Sequence, residues 1–284
     1  MSRFSPTALA LAVILIAIPA YRVFAPAKVP DRLLRLPART TAPVAEVASE
    51  LRRVSLVFMG EGHDRHSHHL AQLTMIRALH GQTSRLAIGL EMVQARHQAE
   101  LDRWVSGEGS ETEIRKAFER DWRFPWSLYR DIFHFARERR VPLVGLNVDE
   151  EIPRQVAKRG FASLTPAERG QIPPVTCNVD GAYEALIRRA HGAHAHGGSS
   201  FRHFCEAQRV WDASMAWHLV QFLKTRPTYQ VVVLAGSGHS WKHGIPDEVS
   251  RLGAFERSVI LLEDAVTAGS VTAEDADYFW PGLG

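Results

Sequence analysis

Cysteine is scarce in this chain, with two among 284 residues, Cys177 and Cys205. They have no metal-ligand spacing, which excludes a thiolate metal site built from them. Their separation fixes no geometry, so an oxidised pair in an export compartment and two independent buried thiols both stand. Several catalytic signatures are missing as well. The chain has no G-x-S-x-G elbow, no P-loop, no H-E-x-x-H and no G-x-G-x-x-G after a strand. Ser237 in GSGH resembles part of an elbow but lacks the second flanking glycine.

A run long enough for a comfortable membrane span is also lacking, since that needs about 20 apolar residues. The apolar stretch Ala8 to Tyr21 is shorter, follows Arg3 and precedes Arg22 and the small residues Ala25-Pro26-Ala27. That pattern reads as a signal peptide or an uncleaved anchor over residues 1–27, hence as an exported protein in the periplasm or tethered facing it. No cysteine lies in this segment, which excludes a lipid anchor there. Without Arg3 and Arg22 the 34 basic residues fall to 32 against 31 acidic ones, so the net charge is +1. A near-neutral mature chain gives no pointer to nucleic acid.

What the chain does have is histidine, 14 in all, and a repeated turn. VSLVFMGEGH (54–63) and VVVLAGSGH (231–239) each run from apolar, β-branched residues into Gly, two residues and His. Each reads as a buried strand ending at a glycine-permitted turn that sets an imidazole past its carboxyl end. Residues 28–50 are rich in Pro and Thr and read as a linker, leaving 51–284 as the domain. Within it strands are expected at 54–59, 86–90, 142–146, 230–235 and 258–262. Helices are expected between them, at 66–80, 94–105, 111–119, 127–140, 150–160, 165–170, 180–190 and 201–225. Continuous apolar strands interleaved with helices predict an α/β fold, a mainly parallel sheet flanked by helices on both faces, with a helical insertion.

A parallel sheet gathers its carboxyl ends on one edge, where such folds build ligand sites. Glu61, His63, Glu91, Asn147, Ser237 and His239 are all placed on that edge. Glu61 and His63 suit metal ligation or a base with its orienting partner, or a structural turn with Glu61 capping a helix. Glu91 ends an apolar strand, where a carboxylate needs a cation, a metal or an arginine. Asp64 is a candidate helix cap, and among His66, His68 and His69 at least one faces solvent, His69 being better placed than His68. Gln208 and Asp212 share one face of a long helix, which suits Asp212 to orient a strand-end His, to cap a neighbouring segment or to pair with Arg. His218 reads as surface or core. Trp122, Trp126 and Tyr129 form an aromatic cluster, by default packing, although a porphyrin pocket uses the same parts. His191, His194, His196 and His203 lie on a Gly- and Ser-rich stretch of the kind that binds metals.

These motifs together resemble the ChaN-like haem-binding uptake family of the Tiki superfamily. The resemblance rests on GEGHDRHSHHLAQ (60–72), LAIGLEM (86–92), Trp126 to Tyr129, PLVGLNV (142–148), EAQRVWDASMA (206–216) and LAGSGHSWKHGIP (234–246). It implies an exported bacterial protein that binds haem in an α/β domain for iron uptake, as a homodimer stacking two haems, with a Tyr on the iron. Tyr129 matches that ligand by position and Tyr183 is the alternative. His63, His69, Trp126 and His239 are expected to line the cofactor. The family's better-known members are lipoproteins, and this chain departs from them in lacking the lipidation cysteine. The wider superfamily implies a second reading, a metal-dependent hydrolase or protease in which Glu61, His63, Glu91 and His239 hold a divalent metal ion or act as acid and base. A vestigial site on a scaffold is the third.

Overall fold

The five apolar runs become adjacent strands of one eight-stranded sheet. A computed structural model describes residues 29–175, 200–263 and 271–283, with positions 181, 184 and 188. The chain opens with β1 (Arg32–Arg35), β2 (Thr40–Pro43), α1 (Val44–Leu51), β3 (Leu56–Glu61), α2 (His66–His80) and β4 (Leu86–Gln94). It continues through α3 (Gln98–Ser106), α4 (Glu111–Asp121), α5 (Trp126–Arg139), β5 (Leu143–Asn147), α6 (Glu151–Arg159) and α7 (Pro166–Arg169). It closes with α8 (Phe201–Thr225), β6 (Gln230–Gly236), α9 (Ser237–Ser240), α10 (Ile245–Leu252), β7 (Arg257–Leu262) and β8 (Tyr278–Trp280).

The strand order is β2-β1-β8-β7-β3-β6-β4-β5. Strands β3 to β8 pair parallel, and β1 pairs antiparallel with β2 and β8. The period of two along each strand divides its side chains between two cores. Val57, Met59, Val232 and Leu234 join the core under α1 to α5. Leu56, Phe58, Val231 and Val233 join the core under α8 and α10. Both faces are therefore covered, which explains why these strands read as continuous apolar runs. The chain leaves β3 for β4 and β5, returns to β6 between β3 and β4, and then crosses to β7 beyond β3. The strand order reverses around β3 and β6, and a crevice opens at their carboxyl ends.

Residues 28–50 differ from the linker expected of them, because β1, β2 and most of α1 lie there. Leu33 is fully buried, and β1 pairs with β8 from the far end of the chain. A four-residue strand carries no usable periodicity, and its partner is remote in sequence. Among the described residues the helical insertion holds α6 and α7; Ile152 and Val156 of α6, and Leu164 between the two helices, cluster with Ala207 and Val210 of α8. The expected helix at 180–190 falls almost wholly outside the described residues, as do Cys177, Tyr183, His191, His194 and His196. The candidate disulfide therefore lies outside them too; Cys205 is buried. Residues 1–27 are outside as well, and no helix among the described residues is long and apolar enough to cross a membrane.

Candidate functional site

Glu61 ends β3 with its carboxylate fully buried. Burying a charge is costly unless hydrogen bonds compensate, and here four side chains do so. Tyr129 donates its hydroxyl to Oε1 at 2.5 Å, and His63 Nδ1 lies 2.9 Å from the same oxygen. Gln72 donates to Oε2 at 2.7 Å, and His69 Nδ1 lies 3.5 Å from it. Burial works against the carboxylate, but the bonds from His63 and His69 overcome it and hold its pKa far below the usual range. The other ring nitrogen of His69 donates to the His63 carbonyl at 3.1 Å. Both nitrogens of His69 thus face acceptors, a pattern that imidazolium satisfies. Its pKa is accordingly raised, Glu61 outweighing burial.

The second turn supplies the opposite wall. Gly236 ends β6 and donates its N–H to Glu91 Oε2 at 2.7 Å. A Cβ on Gly236 would stand 2.9 Å from Cε1 and Nε2 of His63, so only glycine lets the imidazole lie against this strand end. His239 pairs through Nδ1 with Asp212 of α8 at 2.6 Å, and its Nε2 is 3.7 Å from Glu91 Oε1. Burial pulls His239 down, yet the charges of Asp212 and Glu91 raise its pKa to about 9. His63 follows the same balance: burial lowers it, while Glu61 and Glu91 raise it further than that. Two imidazoles, each with Nδ1 on a carboxylate, therefore flank Glu91.

A cleft of about 360 Å³ opens over this group. Trp122 and Phe124, from the connection between α4 and α5, place their rings 4.8 and 5.2 Å from His63. Trp211 of α8 lies 6.0 Å from His239 across the cleft. Met92, Gln94, Asn147 and Gln208 share this lining with Asp121, Arg123, Val148 and Glu150. The pairing of β4 with β5 shifts register between Leu90 and Gln94, a bulge that carries the end of β4 to the cleft.

The structure brings Glu61, His63, Glu91, Asn147, Ser237 and His239 together, and adds Asp212 behind His239. It places other candidates elsewhere. Tyr129 is fully buried, its hydroxyl held by Glu61 and its pKa pushed up first by burial and then by that charge. To ligate iron this phenol would have to lose its proton and leave Glu61. Trp126 is core, packed on Phe118 and Phe133, and Trp122 and Phe124 occupy the cleft instead. His69 is buried beneath the cleft rather than in it. His66 is exposed; His68 is buried, accepting from Gly62 N–H at 2.9 Å and lying 2.9 Å from the Glu263 carbonyl. Asp64 is exposed and does not cap α2, whose N-cap is Arg65. His218 bonds the Leu146 carbonyl, and burial lowers its pKa. His203 sits in the first turn of α8, outside the cleft.

Among the lining residues, Gln94, Asp121, Arg123, Phe124 and Glu150 were not singled out by the motifs. Gln94 was within reach, since Met92 and Val93 prolong the apolar run past Glu91. Among the described residues, no three His, Cys, Asp or Glu side chains are arranged to hold a metal ion. Glu61 in particular has both oxygens engaged by Tyr129, His63, Gln72 and His69.

Residues 47–249 match the family described as haem-binding uptake, Tiki superfamily, ChaN. Comparison with curated proteins finds no match. Among solved structures, one showing cofacial heme binding to ChaN of Campylobacter jejuni is 20% identical, with a TM-score of 0.72. That likeness covers 87% of this chain and 95% of that one. The type III effector HopBA1 is 12% identical over 90% of this chain and 97% of its own, with a TM-score of 0.51. Matched from α1 through most of α10, across the whole candidate site, this chain belongs to the ChaN haem-binding uptake family of the Tiki superfamily.

Proposed function

We propose that this protein binds haem, as an exported component of iron uptake, and that the cleft above Glu91 receives it. Family membership across residues 47–249 carries the reading. The cleft suits a flat apolar group, because Trp122, Phe124, Trp211 and Met92 line it and the imidazoles of His63 and His239 reach it. Bound haem would supply the iron–porphyrin; the chain would supply the aromatic walls and the imidazole donors. Residues 1–27 are read as the export signal or tether. A homodimer is the expected assembly, in keeping with the cofacial heme binding of the Campylobacter jejuni protein.

Hemin titration of the purified protein tests the reading. A saturable shift of the Soret band is expected, lost in Val148→Trp, which fills the cleft. Absence of any shift in the wild type would remove the proposal, and a shift unchanged by Val148→Trp would move the site elsewhere.

A second reading is favoured by one observation: both strand-end imidazoles are oriented by carboxylates and flank Glu91. That arrangement suits acid–base hydrolysis. Ester and peptide substrates assayed with and without a chelator test it and its metal dependence. Glu91→Gln is expected to abolish any turnover, and an unaffected Glu91→Gln would exclude this group from the chemistry.

A further inference from the structure

The cleft occupies the carboxyl edge of the sheet, and the opposite edge carries a different chemistry. Four neighbouring strands, in the order β7-β3-β6-β4, begin there. Backbone hydrogen bonds join the segments that lead into them. Leu56 N–H donates to the Glu256 carbonyl at 3.1 Å, Val231 N–H to that of Ser55 at 2.9 Å, and Gln230 N–H to that of Arg85 at 2.8 Å. Residues 52–55, 81–85, 224–229 and 253–257 therefore form one continuous surface, about 14 Å across at the usual strand spacing.

Those segments hold Arg52, Arg53, Arg85, Lys224, Arg226 and Arg257 against a single acid, Glu256. All six cations are exposed. None of them pairs with a carboxylate among the described residues, whereas exposed arginines elsewhere do, Arg103 with Glu113 and Arg115 with Glu119. Arg226 lies over the Phe222 ring instead, and Lys224 over that of Trp217. The helix dipole accounts for Arg52 and Lys224, which stand at the carboxyl ends of α1 and α8. It does not reach Arg85, well past α2, or Arg257, the first residue of β7.

The patch lacks the exposed apolar centre of a protein interface, since Tyr229 and Phe255 pack against the core beneath it. Spread cations without an apolar anchor suit a laterally extended anion. For an exported chain that anion is a phospholipid surface. We propose that this edge is a docking surface for an anionic phospholipid membrane. The inference uses the export reading of residues 1–27 and is independent of what the cleft binds. Adsorption by this edge turns the cleft toward the aqueous side, open to its ligand. The described chain starts on the cleft side, where Trp280 donates to the Pro30 carbonyl. The patch is thus a contact separate from any tether over residues 1–27.

Sedimentation with vesicles of phosphatidylcholine, alone or mixed with phosphatidylglycerol, tests the proposal. The full-length parent and its Arg53→Gln/Arg85→Gln/Arg226→Gln variant both carry Val13→Gln, Leu15→Gln and Ile16→Gln, so that the apolar run does not insert. Circular dichroism checks the fold. Each cation near an anionic surface contributes roughly fivefold to partitioning, so the variant is expected to bind the anionic vesicles about a hundredfold more weakly. Parent binding should fall to the phosphatidylcholine level in about 0.5 M salt, where the Debye length is about 4 Å. Equal binding of parent and variant to anionic vesicles, or no preference of the parent for anionic lipid, would overturn the proposal. Retention on heparin, lost in the variant, without binding to either vesicle would overturn it in favour of an acidic macromolecule.

Discussion

Replacing Tyr129 by Phe separates a structural phenol from an iron ligand. The hydroxyl donates to a buried, ionised Glu61 at 2.5 Å and accepts from Trp122 Nε1 at 3.4 Å. The variant keeps the ring, which packs on Phe118 and lies 4.1 Å from the ring of His69, so no cavity is created. What is lost is one hydrogen bond to a charged group, worth about 1.5–3 kcal/mol. His63, Gln72 and His69 still hold Glu61, which favours the lower half of that range. For a domain of this size about 2 kcal/mol corresponds to a fall in Tm of roughly 4–8 °C. Urea and thermal unfolding measure the loss, and hemin titration of the same sample measures binding. The expected outcome is a less stable protein with hemin affinity within about twofold of wild type. Unchanged stability with a lost Soret shift would refute the reasoning and return Tyr129 to the iron.

Other outcomes follow from the same geometry. His239 has its pKa raised from 6.5 to about 9, so it holds its proton more tightly folded than unfolded. That stabilisation is complete below about pH 6.5 and lost as pH rises through about 9, an effect of order 3 kcal/mol. Urea midpoints from pH 6 to 10 should show this decline in the wild type and a flatter profile in Asp212→Asn; equal slopes would contradict it. Gly236→Ala puts a methyl 2.9 Å from the His63 ring; the ring must shift, which NMR of the His63 side chain should register, alongside weaker hemin binding. Leu33→Ala removes a fully buried side chain from β1, and a loss of roughly 2–4 kcal/mol in urea unfolding is expected. A negligible loss would mean that residues 29–43 behave as a linker after all.

The central sheet was legible because each strand is buried on both faces and so appears as an uninterrupted apolar run. Val231 to Ala235 needs no partner information to be recognised. The edge was not legible: RLLR of β1 and YFW of β8 are too short for a period, and they form because they find each other. The site follows the same division. Glu61, His63, Glu91 and His239 announce themselves as polar residues closing apolar runs. Asp212 gained its place from helical spacing and the proximity of a strand-end His. Gln94 hid inside an extension of β4 beyond the expected end, and Phe124 carries no signal beyond its neighbours.

The sequence alone determined the parallel α/β sheet, the family and the edge on which the two G-x-x-H turns meet. Local patterning suffices for these, since burial on two faces and glycine-permitted turns are properties of short segments. Tertiary structure alone decided which groups are spoken for. Tyr129 is engaged because α5 delivers its hydroxyl to Glu61. Arg123 and Gln94 join the cleft because the connection between α4 and α5 and the bulge in β4 converge there. Hydrogen-bond saturation is a property of three-dimensional neighbours, and no spacing along the chain encodes it.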